Sequence, residues 1–303
     1  MTNTLKRRSV LVASAAALVG VSVEESQAKT SKAKDPDLDS VLERLLDQKE
    51  RGATLSPVQK YCALLSCVTA QALPEAAEKI VLRALKEKVS PLEIREIVYQ
   101  CAPYVGIGRV QETMEGVNDA FKEAHISLPL PTATTVTDKN RRESGEQMVM
   151  KLNSDRMKQI LSQVPKDEYD LRVNDLYDFC FGDFYTRSGL SLKDRELVVF
   201  GAIATLGGCE AQLRSHIGAN LREGTTKAQL VDALRVMLPY LGFPRTLNAM
   251  NQVSQMTKDS YVPVCQLSKG IYLFKQKFHF LIRLLKAIRR ITDQDSFKGT
   301  GLK

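Results

Sequence analysis

Histidine is the residue type whose chemistry is most conspicuous in this chain, and His216 is the histidine that lies within a motif. The 303-residue sequence contains three histidines, and neither His125 nor His279 belongs to a group of chemically active residues. An unperturbed imidazole titrates near neutral pH, so it can donate or accept a proton under physiological conditions. We therefore expect His216 to be the centre of any acid–base site.

The sequence disfavours two other kinds of site. Histidines, cysteines and acidic residues are not clustered at metal-ligand spacings, and a glycine-rich phosphate-binding loop is absent. The net charge of +8 arises mostly beyond residue 263, whereas residues 29–263 carry equal numbers of basic and acidic side chains. A neutral central region offers no electrostatic surface for nucleic acid. We expect a small molecule as the partner, and neither a metal nor nucleic acid.

An internal repeat supplies the elements that position His216. A shift of 136 residues places 104–109 (YVGIGR) over 240–245 (YLGFPR), and further upstream the shift becomes 135. Self-similarity at a fixed offset indicates copies of one supersecondary unit that cover each other's apolar faces. Pro74 lies opposite Cys209 and Ile80 lies opposite His216, so we expect one site per chain.

Each repeat unit has the pattern of consecutive helices. Ser or Thr caps precede apolar residues at three- and four-residue steps, and the sequence lacks the alternation typical of strands. Gly106 and Gly242 are expected to end helices because glycine accepts the left-handed conformation without penalty. The predicted fold class is all-α, with helical hairpins in two tandem repeats.

Six segments follow from these patterns. They are a signal peptide (1–28), a polar linker (29–40), a degenerate first unit (41–126), a connector (127–180), a second unit (181–260) and a basic amphipathic tail (261–303). Within the tail, residues 271–291 gather apolar side chains on one side and basic side chains on the other. This arrangement is typical of helices that bind an anionic membrane surface or a partner, and an ordinary packed helix is the alternative.

The N-terminus predicts export to the periplasm. A cationic start at 6–8 precedes a short Ala-rich apolar run and a small-residue cleavage site at 26–28. Arg7 and Arg8 resemble a twin-arginine signal, a general secretory signal fits nearly as well, and an uncleaved extension is the alternative. The six cysteines allow disulfides in an exported chain, but their apolar surroundings favour buried thiols.

The second unit resembles the carboxymuconolactone decarboxylase family, which includes the alkylhydroperoxidase D proteins. The resemblance covers about residues 40–257, and the first unit matches weakly. The residues that carry it are Arg195-Glu196-Leu197, Leu206-Gly207-Gly208, Glu210, Leu213, His216, Asn220, Gly224 and Tyr240-Leu241-Gly242-Phe243-Pro244-Arg245. The resemblance implies an all-α fold that assembles into homo-oligomeric rings, commonly trimers of two-unit chains or hexamers of one-unit chains.

The decarboxylase branch of the family implies cofactor-free loss of CO2 from a carboxylated lactone. Such chemistry needs a cationic side chain that binds the carboxylate and an acid that protonates the carbanion equivalent. The resulting candidates are His216 as the acid, Glu196 and Glu210 as orienting carboxylates, Arg195 and Arg245 as anion-binding residues, and Tyr240 and Gln212 as further substrate-binding residues.

The peroxidase branch implies a C-x-x-C-x-x-x-H pattern on one helix. Here Cys209 occupies the place of the first cysteine, but Gln212 replaces the second, so the dithiol pair is broken. Cys209 acting alone, with its thiolate stabilised by a helix N-terminus, is one alternative function. A non-catalytic ring that binds a ligand or scaffolds an assembly is another.

Overall fold

The computed structural model describes residues 35–257. This range is all-helical and contains no strand, which confirms the predicted fold class. The predicted signal peptide and the tail predicted over 261–303, including its amphipathic stretch 271–291, lie outside the described residues. None of the helices within residues 35–257 is both long and apolar enough to cross a membrane.

A separate compact unit ends at Asp47 and contains helix α1 (Pro36–Leu46). The Asp35 carboxylate accepts a hydrogen bond from the Leu38 backbone N–H at 3.1 Å and so caps the first turn. Proline at the first helical position suits this start because its missing N–H would have no helical partner there. The helix thus begins inside the segment predicted as a polar linker.

The larger unit, from Gln48 onward, begins with a first set of five helices. They are α2 (Pro57–Gln71), α3 (Pro74–Lys86), α4 (Pro91–Gln100), α5 (Ala102–Val105) and α6 (Ile107–Glu123). The side chains of Ser56 and Ser90 each form a capping box with the residue three positions later, which fixes where α2 and α4 begin. Gly106 ends α5 at a φ of 88°, as the sequence predicts.

The segment predicted as a connector is largely helical. It contains α7 (Arg141–Leu161) and then, after a short 3-10 turn, two π-helical stretches, Asp170–Asn174 and Leu176–Tyr185. We refer to 170–185 as the π-helical segment. It packs tightly on α7, because a Cβ added at Gly145 would lie 1.9 Å from the Tyr177 carbonyl oxygen. Glycine is therefore required at this crossing.

A second set of helices completes the unit. It comprises α8 (Leu192–Leu206), α9 (Glu210–Arg222), α10 (Lys227–Leu241) and α11 (Phe243–Met256). Helices α2, α3, α4 and α6 begin 135 or 136 residues before α8, α9, α10 and α11, respectively. The positions of the helices therefore recur at the spacing of the sequence repeat.

The first helices of the two sets, α2 and α8, pack against each other at the centre of the unit. Ser66 and Gly201 occupy equivalent repeat positions and meet directly, since a Cβ added at Gly201 would lie 2.1 Å from Ser66 Oγ. If a local two-fold axis related the two helix sets, equivalent positions close to that axis would contact each other in this way.

Two buried carboxylates hold the chain that leads into each central helix. Asp232 on α10 accepts hydrogen bonds from Thr54 N and Oγ1, at 2.9 and 2.8 Å, just before α2. Glu96, at the equivalent position of α4, accepts bonds from Arg187 Nε and Nη2 at 2.7 and 2.9 Å, just before α8. Each helix set thus holds the chain that leads into the first helix of the other set, so the two halves depend on each other.

Candidate functional site

His216 lies on α9 and is joined to a buried carboxylate on α8. Its Nδ1 is 2.8 Å from Glu196 Oε2, and the two side chains are 20% and 2% exposed, respectively. Asn220, one turn further along α9, donates from Nδ2 to the carbonyl oxygens of Glu196 and His216, at 2.8 and 2.9 Å. This amide ties the two helices together beneath the imidazole and so fixes the position of the ring.

Two buried tyrosines extend the polar chain behind Glu196. Tyr185 OH donates to Glu196 Oε1 at 2.7 Å, and Tyr104 OH lies 3.1 Å from Tyr185 OH. Cys180 Sγ lies 3.7 Å from Tyr104 OH and can donate to it. Burial raises the pKa of both phenols well above the ordinary range and that of the Cys180 thiol to about 12. All three groups therefore stay protonated at neutral pH.

These hydrogen bonds determine which ring nitrogen of His216 carries the proton in the neutral form. An ionised Glu196 can only accept, and its two oxygens face Tyr185 OH and His216 Nδ1. Nδ1 must therefore carry hydrogen, which leaves Nε2 as the nitrogen available for proton transfer. A carboxylate that orients a histidine is a recurring arrangement in sites of general acid–base catalysis.

His216 lines a cavity of about 730 Å³ between α9, α7 and the π-helical segment. Gln212, Ser215, Ala219 and Arg222 of α9 line the same cavity, and Glu196 reaches it from α8. Ligand sites typically have volumes of about 300–1,000 Å³, walls that are mostly apolar and only a few polar groups. This cavity fits that description and includes the acid–base pair.

A second cavity, of about 770 Å³, lies beside α4, α5 and α6. Its polar lining groups are Arg95, Tyr99, Gln111 and Asn118, and it contains neither a histidine nor a carboxylate. The Arg95 guanidinium donates hydrogen bonds to the Leu130 and Pro131 carbonyl oxygens, at 3.3 and 2.8 Å. These donors are therefore already used within the protein. The His216 cavity is therefore the candidate site, although the two cavities are similar in size.

Arg195 lies in a different environment from its neighbour Glu196. Its side chain is 1% exposed, and its guanidinium donates to Gln100 Oε1 at 2.8 Å and to the Arg187 carbonyl oxygen at 2.6 Å. Burial lowers its pKa, whereas Glu96, 3.8 Å away, opposes this effect. Arg195 and Glu196 are adjacent in sequence and so project from different sides of α8, and Arg195 does not line the His216 cavity.

Three other predicted site residues gather around a much smaller pocket, of about 20 Å³, at the turn between α8 and α9. Cys209 and Glu210 line it together with Arg245, whose guanidinium donates to the Thr205 carbonyl oxygen. Cys209 is half-buried, and its Sγ lies 3.5 Å from the Gly207 carbonyl oxygen. The structure thus separates the predicted redox cysteine from His216 and places His216, Glu196 and Gln212 together.

The tyrosine of the site comes from the other half of the chain. The sequence predicts Tyr240, but this residue is absent from the lining of the His216 cavity, and Tyr104 lines it instead. The two tyrosines occupy the same position in the repeat. Tyr104 packs edge to face on His216, with ring centroids 5.3 Å apart. Tyr104, Tyr185 and Cys180 were not predicted from the sequence, since Tyr104 lies in the first unit and the other two precede α8, outside the residues that carry the family resemblance.

The described cysteines are unpaired, and among residues 35–257 no three histidine, cysteine or acidic side chains come together as metal ligands. Four of the five described cysteines are buried, namely Cys62, Cys67, Cys101 and Cys180. Burial raises the pKa of the Cys67 thiol to about 11, which keeps it protonated and unreactive at neutral pH.

Comparison with known proteins bears directly on this site. Residues 174–255 match the family model described as the carboxymuconolactone decarboxylase family. The chain is 32% identical over 81 residues to 4-carboxymuconolactone decarboxylase of Acinetobacter baylyi, which is 27% of this chain and 60% of that protein. It is also 32% identical over 77 residues to an uncharacterised 15.0 kDa protein of Paracoccus denitrificans, which is 25% of this chain and 58% of that protein.

The chain therefore spans about three fifths of the length of these two relatives. The matched range contains α8–α11, His216, Glu196 and most of the π-helical segment. It does not include the first set of helices, so a second copy of the family's unit in that set remains a prediction. Over residues 174–255, this chain is similar to the carboxymuconolactone decarboxylase family.

Proposed function

We propose that this chain is a decarboxylase-type enzyme in which His216 transfers the proton and Glu196 positions the imidazole. The observation that carries the proposal is the 2.8 Å contact between His216 Nδ1 and Glu196 Oε2 at the wall of a large cavity. The family match over 174–255 supports loss of CO2 as the reaction type. The substrate is proposed to be a small carboxylated or lactone compound.

The proposed reaction uses the protein's own side chains. Cleavage of the bond between the substrate carbon and its carboxylate releases CO2 and leaves the electron pair on that carbon. Protonated His216 donates its Nε2 proton to the carbon, while Glu196 stabilises the ring through Nδ1. The neutral imidazole then regains a proton from water. Tyr185 keeps the carboxylate in place by donating to its other oxygen.

The direct test is CO2 release by the purified protein from carboxylated lactones and β-keto acids. We expect His216→Ala to lower kcat by roughly 100-fold or more, the contribution typical of a general acid. Glu196→Gln should also lower kcat, by about tenfold or more, because the imidazole loses the carboxylate that sets its tautomer.

Glu210→Gln is the matched control for Glu196→Gln, since Glu210 lies in the small pocket and not in the His216 cavity. It should retain near-native kcat. If His216→Ala leaves turnover intact, the proposed role of His216 is wrong, and if the native protein releases no CO2, the ligand-binding scaffold is favoured. Thermal unfolding of each variant separates loss of chemistry from loss of fold.

Export and ring assembly are proposed on the sequence and the family resemblance alone. Fractionation of cells that express the full chain tests export, and the mass in solution tests whether it forms a trimer or hexamer-like ring. The expected contact of residues 271–291 with a membrane surface or a partner is likewise a proposal. Binding to anionic vesicles, measured with and without these residues, would test it.

A further inference from the structure

We propose that the substrate of the His216 site is an acid with an extended apolar body, whose anionic end binds Arg222. This inference rests on the proposed function, because it concerns the same cavity. It adds a substrate class: the molecule is larger and more apolar than a monocyclic lactone.

The wall that faces His216 is apolar and comes from the segment between the two helix sets. The side chains that form most of it are Leu152, Met157 and Ile160 of α7, and Leu171, Leu176 and Phe179 of the π-helical segment. Leu171 and Ile160 are 74% and 43% exposed, respectively. Covering such side chains removes apolar surface from water, which contributes about 25 cal/mol per Å². A ligand with an apolar body would gain this contribution.

The charges of the cavity favour an anion at one place. Arg172 is paired with Glu168, and Glu196 already accepts from Tyr185 and His216. Arg222 is exposed at the edge of the cavity, and none of the ion pairs between described residues involves its guanidinium. Asp175 is an exposed acid on the opposite wall, so an anion is favoured on the α9 side of the cavity and disfavoured near the π-helical segment.

Arg222 and His216 lie at opposite edges of the strip of α9 that lines the cavity. Viewed along the helix axis, the directions of Ser215 and Ala219 lie between those of His216 and Arg222. The guanidinium extends back along the helix, because a Cβ added at Gly218 would lie 3.4 Å from Arg222 Nη1. The anion at Arg222 is therefore a group distinct from the carbon that reacts at His216, and the substrate must span the strip.

The size of the cavity is consistent with a long molecule. A volume of about 730 Å³ falls in the upper part of the range of about 300–1,000 Å³ that is typical of sites for drug-sized ligands. A single five-membered lactone would leave most of the apolar wall exposed. An acid with a long apolar chain would cover it while its anionic group reaches the guanidinium.

The test uses decanoate, decanol and acetate as probes, with the full-length protein and titration calorimetry. We expect decanoate to bind and acetate not to bind, because acetate cannot cover the apolar wall. Arg222→Gln should weaken decanoate binding by about tenfold and leave decanol binding unchanged. Arg214→Gln is the control, since Arg214 lies on the same helix but bonds to Gln252 and does not line the cavity.

A second pair of variants tests the apolar wall with little risk to folding. Leu171→Ser should weaken both decanoate and decanol, whereas Leu247→Ser, an exposed leucine outside the cavity, should weaken neither. Both side chains are more than half exposed, at 74% and 53%, so either variant is expected to fold. The His216 ring signals, identified by comparison with His216→Ala, should shift when decanoate binds.

The inference is overturned if decanoate does not bind, or if Arg222→Gln and Arg214→Gln bind it equally well. It is also overturned if binding leaves the His216 ring signals unchanged. These outcomes are separable from those of the proposed function. Binding as expected without CO2 release from any carboxylated substrate would contradict only the decarboxylase proposal, whereas turnover of small lactones without decanoate binding would contradict only the substrate class.

Discussion

Tyr104 and His216 meet edge to face, with their ring planes at 87° and their centroids 5.3 Å apart. Tyr104 lies on α5 of the first helix set, and His216 lies on α9 of the second. The candidate site therefore requires both sets, although the first lacks a histidine at the equivalent position, Ile80. The first set supplies part of the site in addition to supporting the fold.

This composite site predicts that the two equivalent tyrosines are not equivalent in function. Tyr104→Ala should lower kcat because it removes the ring that packs on His216 and the hydroxyl that faces Tyr185. Tyr240→Ala should have a smaller effect on kcat, since Tyr240 does not line the cavity. Steady-state kinetics of both variants checks this. An equal or larger loss of kcat in Tyr240→Ala would support the role predicted from the sequence instead.

The Tyr185 hydroxyl is predicted to act as a positioning group. Tyr185→Phe keeps the packed ring but removes the donor to Glu196 Oε1, so one oxygen of a buried carboxylate loses its partner. An unsatisfied buried polar group costs about 1–3 kcal/mol, and we expect kcat to fall by roughly tenfold. The KM should change little because Tyr185 does not line the cavity. A change in KM alone would contradict this role.

Cys209 provides a test between two chemistries of the family. It lies with Arg245 in the small pocket, and His216 lies in the large cavity, so no shared site joins the thiol to the imidazole. We expect Cys209→Ser to retain decarboxylation and His216→Ala to lose it. Hydroperoxide consumption by each variant gives the complementary measurement. Thiol-dependent consumption that disappears in Cys209→Ser would support the peroxidase alternative.

The contact between α2 and α8 predicts a non-additive pair of substitutions. Gly201→Ala would place a Cβ 2.1 Å from Ser66 Oγ, and such overpacking costs roughly 1–3 kcal/mol. Ser66→Ala removes the atom that clashes, and Ser66 Cβ would lie 3.4 Å from the added methyl group. The double variant should therefore be more stable than Gly201→Ala alone. Chemical denaturation of the four proteins in this cycle measures the coupling.

Within the two helix sets, the sequence predicted the helices and their ends well, because local signals determine them. The capping boxes at Ser90 and Thr226, and the positive φ of 78° at Gly242, lie where the cap and glycine patterns indicate. The motif around His216 also indicated the family whose model matches residues 174–255.

The sequence did not reveal which polar side chains share a cavity. Arg195 and Glu196 are neighbours in the motif, yet Arg195 is held by backbone carbonyl oxygens that precede α8 and Glu196 by Tyr185 and His216. Such partners depend on long-range packing that one sequence does not specify. The replacement of Tyr240 by Tyr104 has the same origin, because the arrangement of the two helix sets decides which copy of the tyrosine reaches His216.

Asp232 is predicted to make the fold sensitive to acid. Burial alone would raise the pKa of this carboxyl, but the hydrogen bonds from Thr54 and Arg235 outweigh it and hold the pKa below its ordinary value. Since the folded-state pKa lies below the unfolded value of about 3.9, the stabilisation is complete above that pH and is lost as the pH falls below it.

Asp232→Asn should therefore lower the free energy of unfolding at neutral pH by about 1–3 kcal/mol, the range for hydrogen bonds to a charged group. The difference between the native protein and this variant should shrink as the pH drops below about 4, because protonation removes the same interaction. Urea unfolding between neutral pH and pH 3 measures both quantities. Glu123→Gln, an exposed acid on α6, is the control. A difference in stability that stays constant across this range would show that Asp232 acts through packing and not through its charge.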